Sequence, residues 1–134
     1  MKDERIITAK KYLLLGYRVS RVKFWLYLGG TYLVGYAAGV TRVEQFYSTG
    51  FFLHLVYFMT LANVFLYGVN DYYDEDTDKL NDKKGNYEHL LKLEEREHLE
   101  KILFGVFLVS VLFVFYQSRL DETLVFSLFV FLSY

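Results

Sequence analysis

Long stretches without any Asp, Glu, Lys or Arg are the feature that most constrains this sequence. Three such segments stand out: Phe24–Val40, Phe51–Val69 and Ile102–Gln117. A helix needs about 20 mostly apolar residues to cross a hydrocarbon core of ~30 Å. None of the three shows the charged face that a helix on the surface of a soluble protein carries. The sequence therefore predicts an all-α integral membrane bundle with three full transmembrane helices.

A fourth apolar segment occupies Thr123–Tyr134, where the given sequence ends. Its residues, at ~1.5 Å each, reach only about 18 Å, which is too short to cross a bilayer. We therefore expect a truncated fourth helix, and a single incomplete transmembrane domain over residues 1–134. A re-entrant or interfacial last segment is the alternative.

Two charged segments flank the apolar ones. Met1–Arg21 mixes basic residues with short apolar stretches and lacks the features of a signal peptide. We interpret it as an amphipathic helix on the membrane surface, with a frayed tail as the alternative. Glu88–Lys101 has helically spaced leucines and a favourable Glu97–Lys101 pair. It predicts a short cytoplasmic cap helix, with a solvated linker helix as the alternative.

The distribution of Lys and Arg predicts how the chain is oriented. Seven of them precede the first apolar segment and six lie in the loop after the second, whereas the other two loops carry only Arg42 and Arg119. The positive-inside rule then places the N-terminus and the long loop in the cytoplasm. We expect a multi-pass protein of the cell membrane, with the lipid bilayer as a partner and no nucleic-acid partner.

Three aspartates follow the second apolar segment. Asp71, Asp74 and Asp78 are spaced i, i+3 and i+7, so a continued helix would place them on one face. Clustered carboxylates raise each other's pKa and become favourable when a cation lies among them. Mg²⁺ prefers oxygen ligands and commonly shares them with substrate phosphates. The spacing alone leaves two interpretations open, a Mg²⁺ or phosphate site and a solvated acidic loop.

The acidic stripe continues backwards into the membrane. It meets Asn70, Tyr67, Asn63 and Thr60. An Asn inside the bilayer is costly unless it faces a cavity or a partner helix, and the lysines that follow the stripe can contact phosphate. We expect the following residues to bind substrate: Arg21, Asn63, Tyr67, Asn70, Lys83 and Lys84.

The acidic run resembles the first aspartate motif of the UbiA prenyltransferase superfamily, Asn-Asp-x-x-Asp-x-x-x-Asp at the cytoplasmic end of a second transmembrane helix. The matching residues are Asn70, Asp71, Asp74 and Asp78. Three other stretches resemble lycopene elongase-type carotenoid prenyltransferases, although two positions, Val22 and Asp82, carry no Pro where those relatives do. These stretches are Ser20–Leu28, Ala62–Asp71 and Asn81–Gly85.

The resemblance implies a chemistry for the intact enzyme. Mg²⁺ held by Asn70, Asp71, Asp74 and Asp78 would assist ionisation of a prenyl diphosphate, with the three aspartates as catalytic residues. The isoprenyl group would pass to a lipophilic acceptor, such as lycopene in C50 carotenoid synthesis. The family's second aspartate motif has no counterpart here. We therefore expect the chain alone to be inactive and a separate C-terminal half to be a candidate partner. The alternative is a truncated or non-catalytic membrane protein that binds Mg²⁺ or a lipid diphosphate without turnover.

Overall fold

The computed structural model describes residues 2–74, 89–117 and 119–133, with side chains from Ile6 onward. Within these ranges the chain forms helices and no strand, so the all-α prediction is confirmed. Two short 3₁₀ helices, Val22–Phe24 and Val43–Tyr47, precede the second and third α-helices. The α-helices are α1 (Lys2–Val19), α2 (Trp25–Gly39), α3 (Thr49–Met59), α4 (Leu61–Tyr73), α5 (Leu93–Tyr116) and α6 (Leu120–Ser133).

Two helical stretches in the described part of the chain are long and apolar enough to cross a membrane. One is Thr49–Tyr73, which combines α3 and α4, and the other is α5. The helix α2 has 15 residues and therefore a length of only ~22 Å, and α6 has 14 residues. The predicted count of three full spans is therefore not confirmed.

The helix α5 joins two parts of the chain that we had predicted to be separate. Residues Leu93–Lys101 continue without interruption into the apolar stretch that ends at Tyr116. No Gly or Pro stands at the junction, so nothing stops the backbone hydrogen bonds from continuing. The structure thus does not confirm a separate cap helix. The Glu97–Lys101 pair is present as predicted, with 2.6 Å between Oε1 and Nζ.

The second predicted segment is interrupted in its middle. At Thr60 the backbone leaves the regular helical conformation (φ −119°, ψ −74°), which separates α3 from α4. The Asn63 side-chain amide donates to the carbonyls of Phe58 (2.9 Å) and Met59 (3.0 Å) at the end of α3. Terminal carbonyls of a helix need such partners. The sequence contains no Pro, and a second side chain bonds the backbone here, since Thr60 Oγ1 donates to the Val56 carbonyl at 2.6 Å.

Two close contacts hold the helices together. At Gly29 in α2, an added Cβ would meet the Met59 side chain of α3. At Gly68 in α4, an added Cβ would lie 2.8 Å from Leu103 and 3.2 Å from Val19, so α1 and α5 both approach α4 there. These glycines allow the helix axes to come close together.

The helix α1 confirms that the N-terminal segment is helical. Near its end, Leu15 and Val19 are buried against Leu91 and Leu99. Several of its other apolar side chains are exposed, Ile6 and Leu13 among them. An amphipathic helix on the membrane surface is therefore not confirmed and stays a prediction.

Candidate functional site

The first aspartate of the acidic run is buried. Asp71 lies in the last turn of α4 and is 1% exposed. Its Oδ1 accepts a hydrogen bond from Arg21 Nη2 at 2.6 Å. Burial of an ionised carboxylate is costly unless an opposite charge compensates it. The structure therefore joins two predicted site residues that lie 50 positions apart in the chain.

Arg21 adopts an unusual backbone conformation between α1 and α2. Its φ of 48° and ψ of 69° lie in the left-handed region, and no other non-Gly residue in the described ranges has a positive φ. The guanidinium lies 4.7 Å from the centroid of the Tyr67 ring, and that ring packs on Phe24 at 5.5 Å. The structure thus brings together Arg21, Tyr67 and Asp71, all predicted to belong to the site.

The turn that carries Arg21 is itself held by side-chain hydrogen bonds. The buried Ser20 hydroxyl donates to the Tyr17 carbonyl at 2.7 Å. The same oxygen accepts a hydrogen bond from Trp25 Nε1 at 3.0 Å. Ser20 and Trp25 were part of a motif quoted above, but neither was predicted to have a role. The position of Ser20 and Trp25 on either side of Arg21 in the sequence could have indicated that they hold this turn.

The remaining predicted ligands are arranged differently from Asp71. Asn70 and Asp74 are exposed and lie one turn apart, because the Asp74 N–H donates to the Asn70 carbonyl at 2.9 Å. Asp78, Lys83 and Lys84 lie outside the described residues. Within the described ranges, no three His, Cys, Asp or Glu side chains cluster closely enough to hold a metal ion. These residues therefore fit Mg²⁺ in part: Asn70 and Asp74 are exposed, whereas Asp71 is buried and paired with Arg21.

Asn63 does not lie with the Arg21 group. It is fully buried at the start of α4, where its Nδ2 bonds the end of α3. Its Oδ1 has no hydrogen-bond partner among the described residues. The residues of the predicted polar stripe therefore differ in exposure to solvent, since Asn63 and Asp71 are buried while Asn70 is exposed.

A cleft of about 840 Å³ opens between α4, α5 and α6. Its lining is polar at one end and apolar along the rest. The polar part consists of Tyr72, Tyr73, Glu97, Glu100 and Lys101, and the apolar part of Val69, Leu103, Phe104, Phe107, Val130 and Phe131. This cleft was not predicted from the sequence. It could have been suggested by the helical spacing of Glu97, Glu100, Phe104 and Phe107, which makes one face of α5 change from acidic to aromatic.

Two apolar helical stretches have the length and composition of membrane-spanning helices, which indicates a helical membrane protein. Three archaeal relatives, all named lycopene elongase/hydratase, are similar to the chain. It is 44% identical to that of Halobacterium salinarum over 70 residues, 52% of this chain. Identity is also 44% over 70 residues for Haloferax volcanii, and it is 47% over 73 residues for Haloarcula japonica.

The matched stretch covers only part of those proteins. It corresponds to 26%, 23% and 25% of the three relatives respectively, so the chain spans about a quarter of their length. No family model matches the chain. No solved structure matches it either.

Proposed function

We propose that this chain is part of a carotenoid-modifying membrane enzyme of the UbiA type. The enzyme would transfer an isoprenyl group from a prenyl diphosphate to a lipophilic acceptor, with lycopene as the candidate acceptor. The observation that carries the proposal is the 44% to 47% identity to lycopene elongase/hydratases over about half of this chain. The names of those relatives support lycopene as the acceptor, and the acidic run is the candidate site for the diphosphate and Mg²⁺.

The diphosphate would bind at the cytoplasmic end of α4. Asn70 and Asp74 are accessible there, and the guanidinium of Arg21 lies beside the same helix turn. A bound Mg²⁺ would supply neutralisation of the negative charge that develops on the leaving diphosphate. Asp78 stays a predicted ligand, and Lys83 and Lys84 stay predicted phosphate contacts.

The apolar part of the cleft is the candidate place for a hydrocarbon chain. From Glu97 to Phe107 the α5 face extends over about 15 Å at 1.5 Å per residue. Its polar rim includes Tyr73, the residue before Asp74 at the end of α4. A chain bound along this face would have its reactive end next to the acidic run and its tail among aromatic rings. Aromatic faces also stabilise a carbocation.

The single tryptophan provides a direct test of diphosphate binding. Trp25 is hydrogen-bonded to Ser20, the neighbour of Arg21, so its fluorescence reports on this site. We expect the emission to change when dimethylallyl diphosphate and Mg²⁺ are added to the full chain in lipid nanodiscs. Asp74→Ala should weaken binding at least about tenfold, equivalent to about 1.4 kcal/mol.

The matched control is Glu44→Ala, an exposed acidic residue before α3, which should leave binding unchanged. Equal affinity in the Asp74→Ala protein would contradict the proposed site. The acceptor is tested separately by expressing the chain in lycopene-producing cells, alone and with a C-terminal half of a relative. Lycopene derivatives that carry an added isoprenyl unit are the expected product when the two halves are expressed together.

A further inference from the structure

We infer that Asp71 is a positioning residue that holds the Arg21 guanidinium at the diphosphate, and that Asp71 is not one of the metal ligands. The inference rests on the proposed diphosphate site and revises the role of one residue within it. It starts from the burial and pairing of Asp71, which the spacing of the aspartates did not predict.

Asp71 is the less accessible member of the ion pair. The Arg21 side chain is 12% exposed, whereas the Asp71 side chain is 1% exposed. A metal ion that used Asp71 Oδ1 as a ligand would compete with Arg21 for that oxygen.

Asp71 and Asp74 are three residues apart on α4 and therefore neighbours on the helix surface. They differ in burial, because Asp74 is exposed and Asp71 is buried. The Asp71 carboxylate pairs with Arg21, which lies between α1 and α2. Asp74 is thus the more accessible carboxylate for a metal ion, and Asp71 is the one that contacts the guanidinium.

The positive charge of Arg21 disfavours a metal ion at Asp71. A cation bound to Asp71 would lie within a few ångströms of the guanidinium, and like charges at that distance repel. A diphosphate beside Arg21 has the opposite effect, because Arg forms strong charge-assisted hydrogen bonds with phosphate oxygens. A carboxylate behind the guanidinium fixes its orientation, as outer-shell partners do for the groups that contact a ligand.

Arg21 also keeps a left-handed backbone, which costs a non-Gly residue free energy and persists only where surrounding contacts enforce it. The Ser20–Trp25 hydrogen bond spans the turn that carries Arg21. The Asp71 carboxylate and the Tyr67 ring contact the guanidinium itself.

The test separates metal binding from diphosphate binding. Asp71→Asn and Asp74→Asn are prepared in the full chain in nanodiscs, and Mn²⁺ replaces Mg²⁺ because its binding can be followed by electron paramagnetic resonance. Without diphosphate, Asp74→Asn should weaken Mn²⁺ binding at least about tenfold and Asp71→Asn by less than about threefold. At saturating Mn²⁺, Asp71→Asn should weaken dimethylallyl diphosphate binding at least about tenfold. A purely structural role of Asp71 would not produce this split between the two ligands.

A second variant distinguishes loss of binding from misfolding. Asp71→Asn alone removes the carboxylate that pairs with a mostly buried guanidinium, which can destabilise the fold. Arg21→Gln combined with Asp71→Asn removes both charges at once, and it should keep Mn²⁺ affinity while losing diphosphate affinity. If this double variant loses Mn²⁺ as Asp74→Asn does, the inference is overturned and the proposed function stands. If Asp74→Asn keeps both affinities, the proposed site itself is overturned.

Discussion

At the scale of single residues, the contact between α2 and α3 depends on a missing side chain. Gly29 is buried against Met59, so that even one methyl group would press on the Met59 side chain. The adjacent Gly30 has no atom within 4 Å of the position that a Cβ would occupy. Two neighbouring glycines in the same helix therefore have opposite tolerance for a larger residue.

Gly29→Ala should lower the free energy of unfolding by about 1–2 kcal/mol, because overpacking outweighs the better helix propensity of Ala. Thermal unfolding of the purified protein in one detergent measures the effect. Gly30→Ala is the matched control and should be neutral or raise stability by up to about 1 kcal/mol. An equal loss in both variants would show that the contact with Met59 is not what constrains Gly29.

The sequence named candidate site residues but did not predict which of them contact one another. Arg21, Tyr67 and Asp71 were all expected in the site, and the structure brings them together. Their pairing could not be predicted, because Arg21 and Asp71 are 50 positions apart. The i, i+3, i+7 spacing of the aspartates also gives no information about Arg21, which lies between α1 and α2 and pairs with Asp71.

At the scale of helices, the interruption at Thr60 is the feature that hydropathy could not reveal. The run Phe51–Val69 contains neither Pro nor charge, so its sequence predicts one continuous helix. Asn63 was predicted to bind substrate, which stays a prediction. The structure shows in addition that its Nδ2 bonds the end of α3. Hydropathy averages over a window and does not report such local side-chain hydrogen bonds.

Asn63→Leu should lower the free energy of unfolding by about 2–4 kcal/mol, because the carbonyls of Phe58 and Met59 lose their donor in an apolar environment. Part of this loss is offset, since the partnerless Oδ1 is removed as well. Thermal unfolding is again the measurement.

The pair Asn63→Gln and Asn63→Met controls for size, since both side chains are longer and only Gln keeps the amide. The Gln variant should be the more stable of the two. Equal stabilities would mean that packing, and not hydrogen bonding, accounts for the effect of Asn63.

At the scale of the whole molecule, the two ends of the helix bundle differ in chemistry. One end carries Arg21, Asp71 and the N-terminus of α5. The other end carries stacked aromatic rings around His54, whose Nε2 accepts a hydrogen bond from Gln117 at 2.8 Å. The helical class and the apolar segments were readable from the sequence. The number of spanning helices stays a prediction, because α2 has only 15 residues.

Single-cysteine labelling tests the predicted orientation, and the natural chain offers a clean background because it contains no Cys. Tyr47→Cys and Arg119→Cys replace exposed residues in the loops expected outside the cell. A membrane-impermeant maleimide should label both in intact cells. Arg18→Cys and Lys92→Cys, also at exposed positions, should react only after permeabilisation. The opposite pattern would reverse the topology that the positive-inside rule predicts.

The break at Thr60 has a consequence for how the Thr49–Tyr73 span can move. In a straight helix, the carbonyls of Phe58 and Met59 would accept from the backbone N–H groups four residues onward. Straightening would therefore exchange donors for those two acceptors and release the Asn63 amide into hydrocarbon, where water cannot solvate it. A proline would interrupt the helix by removing a backbone donor, whereas here the Asn63 side chain supplies a donor to two carbonyls. The two halves of the span are therefore joined at Thr60 by side-chain hydrogen bonds as well as by the backbone.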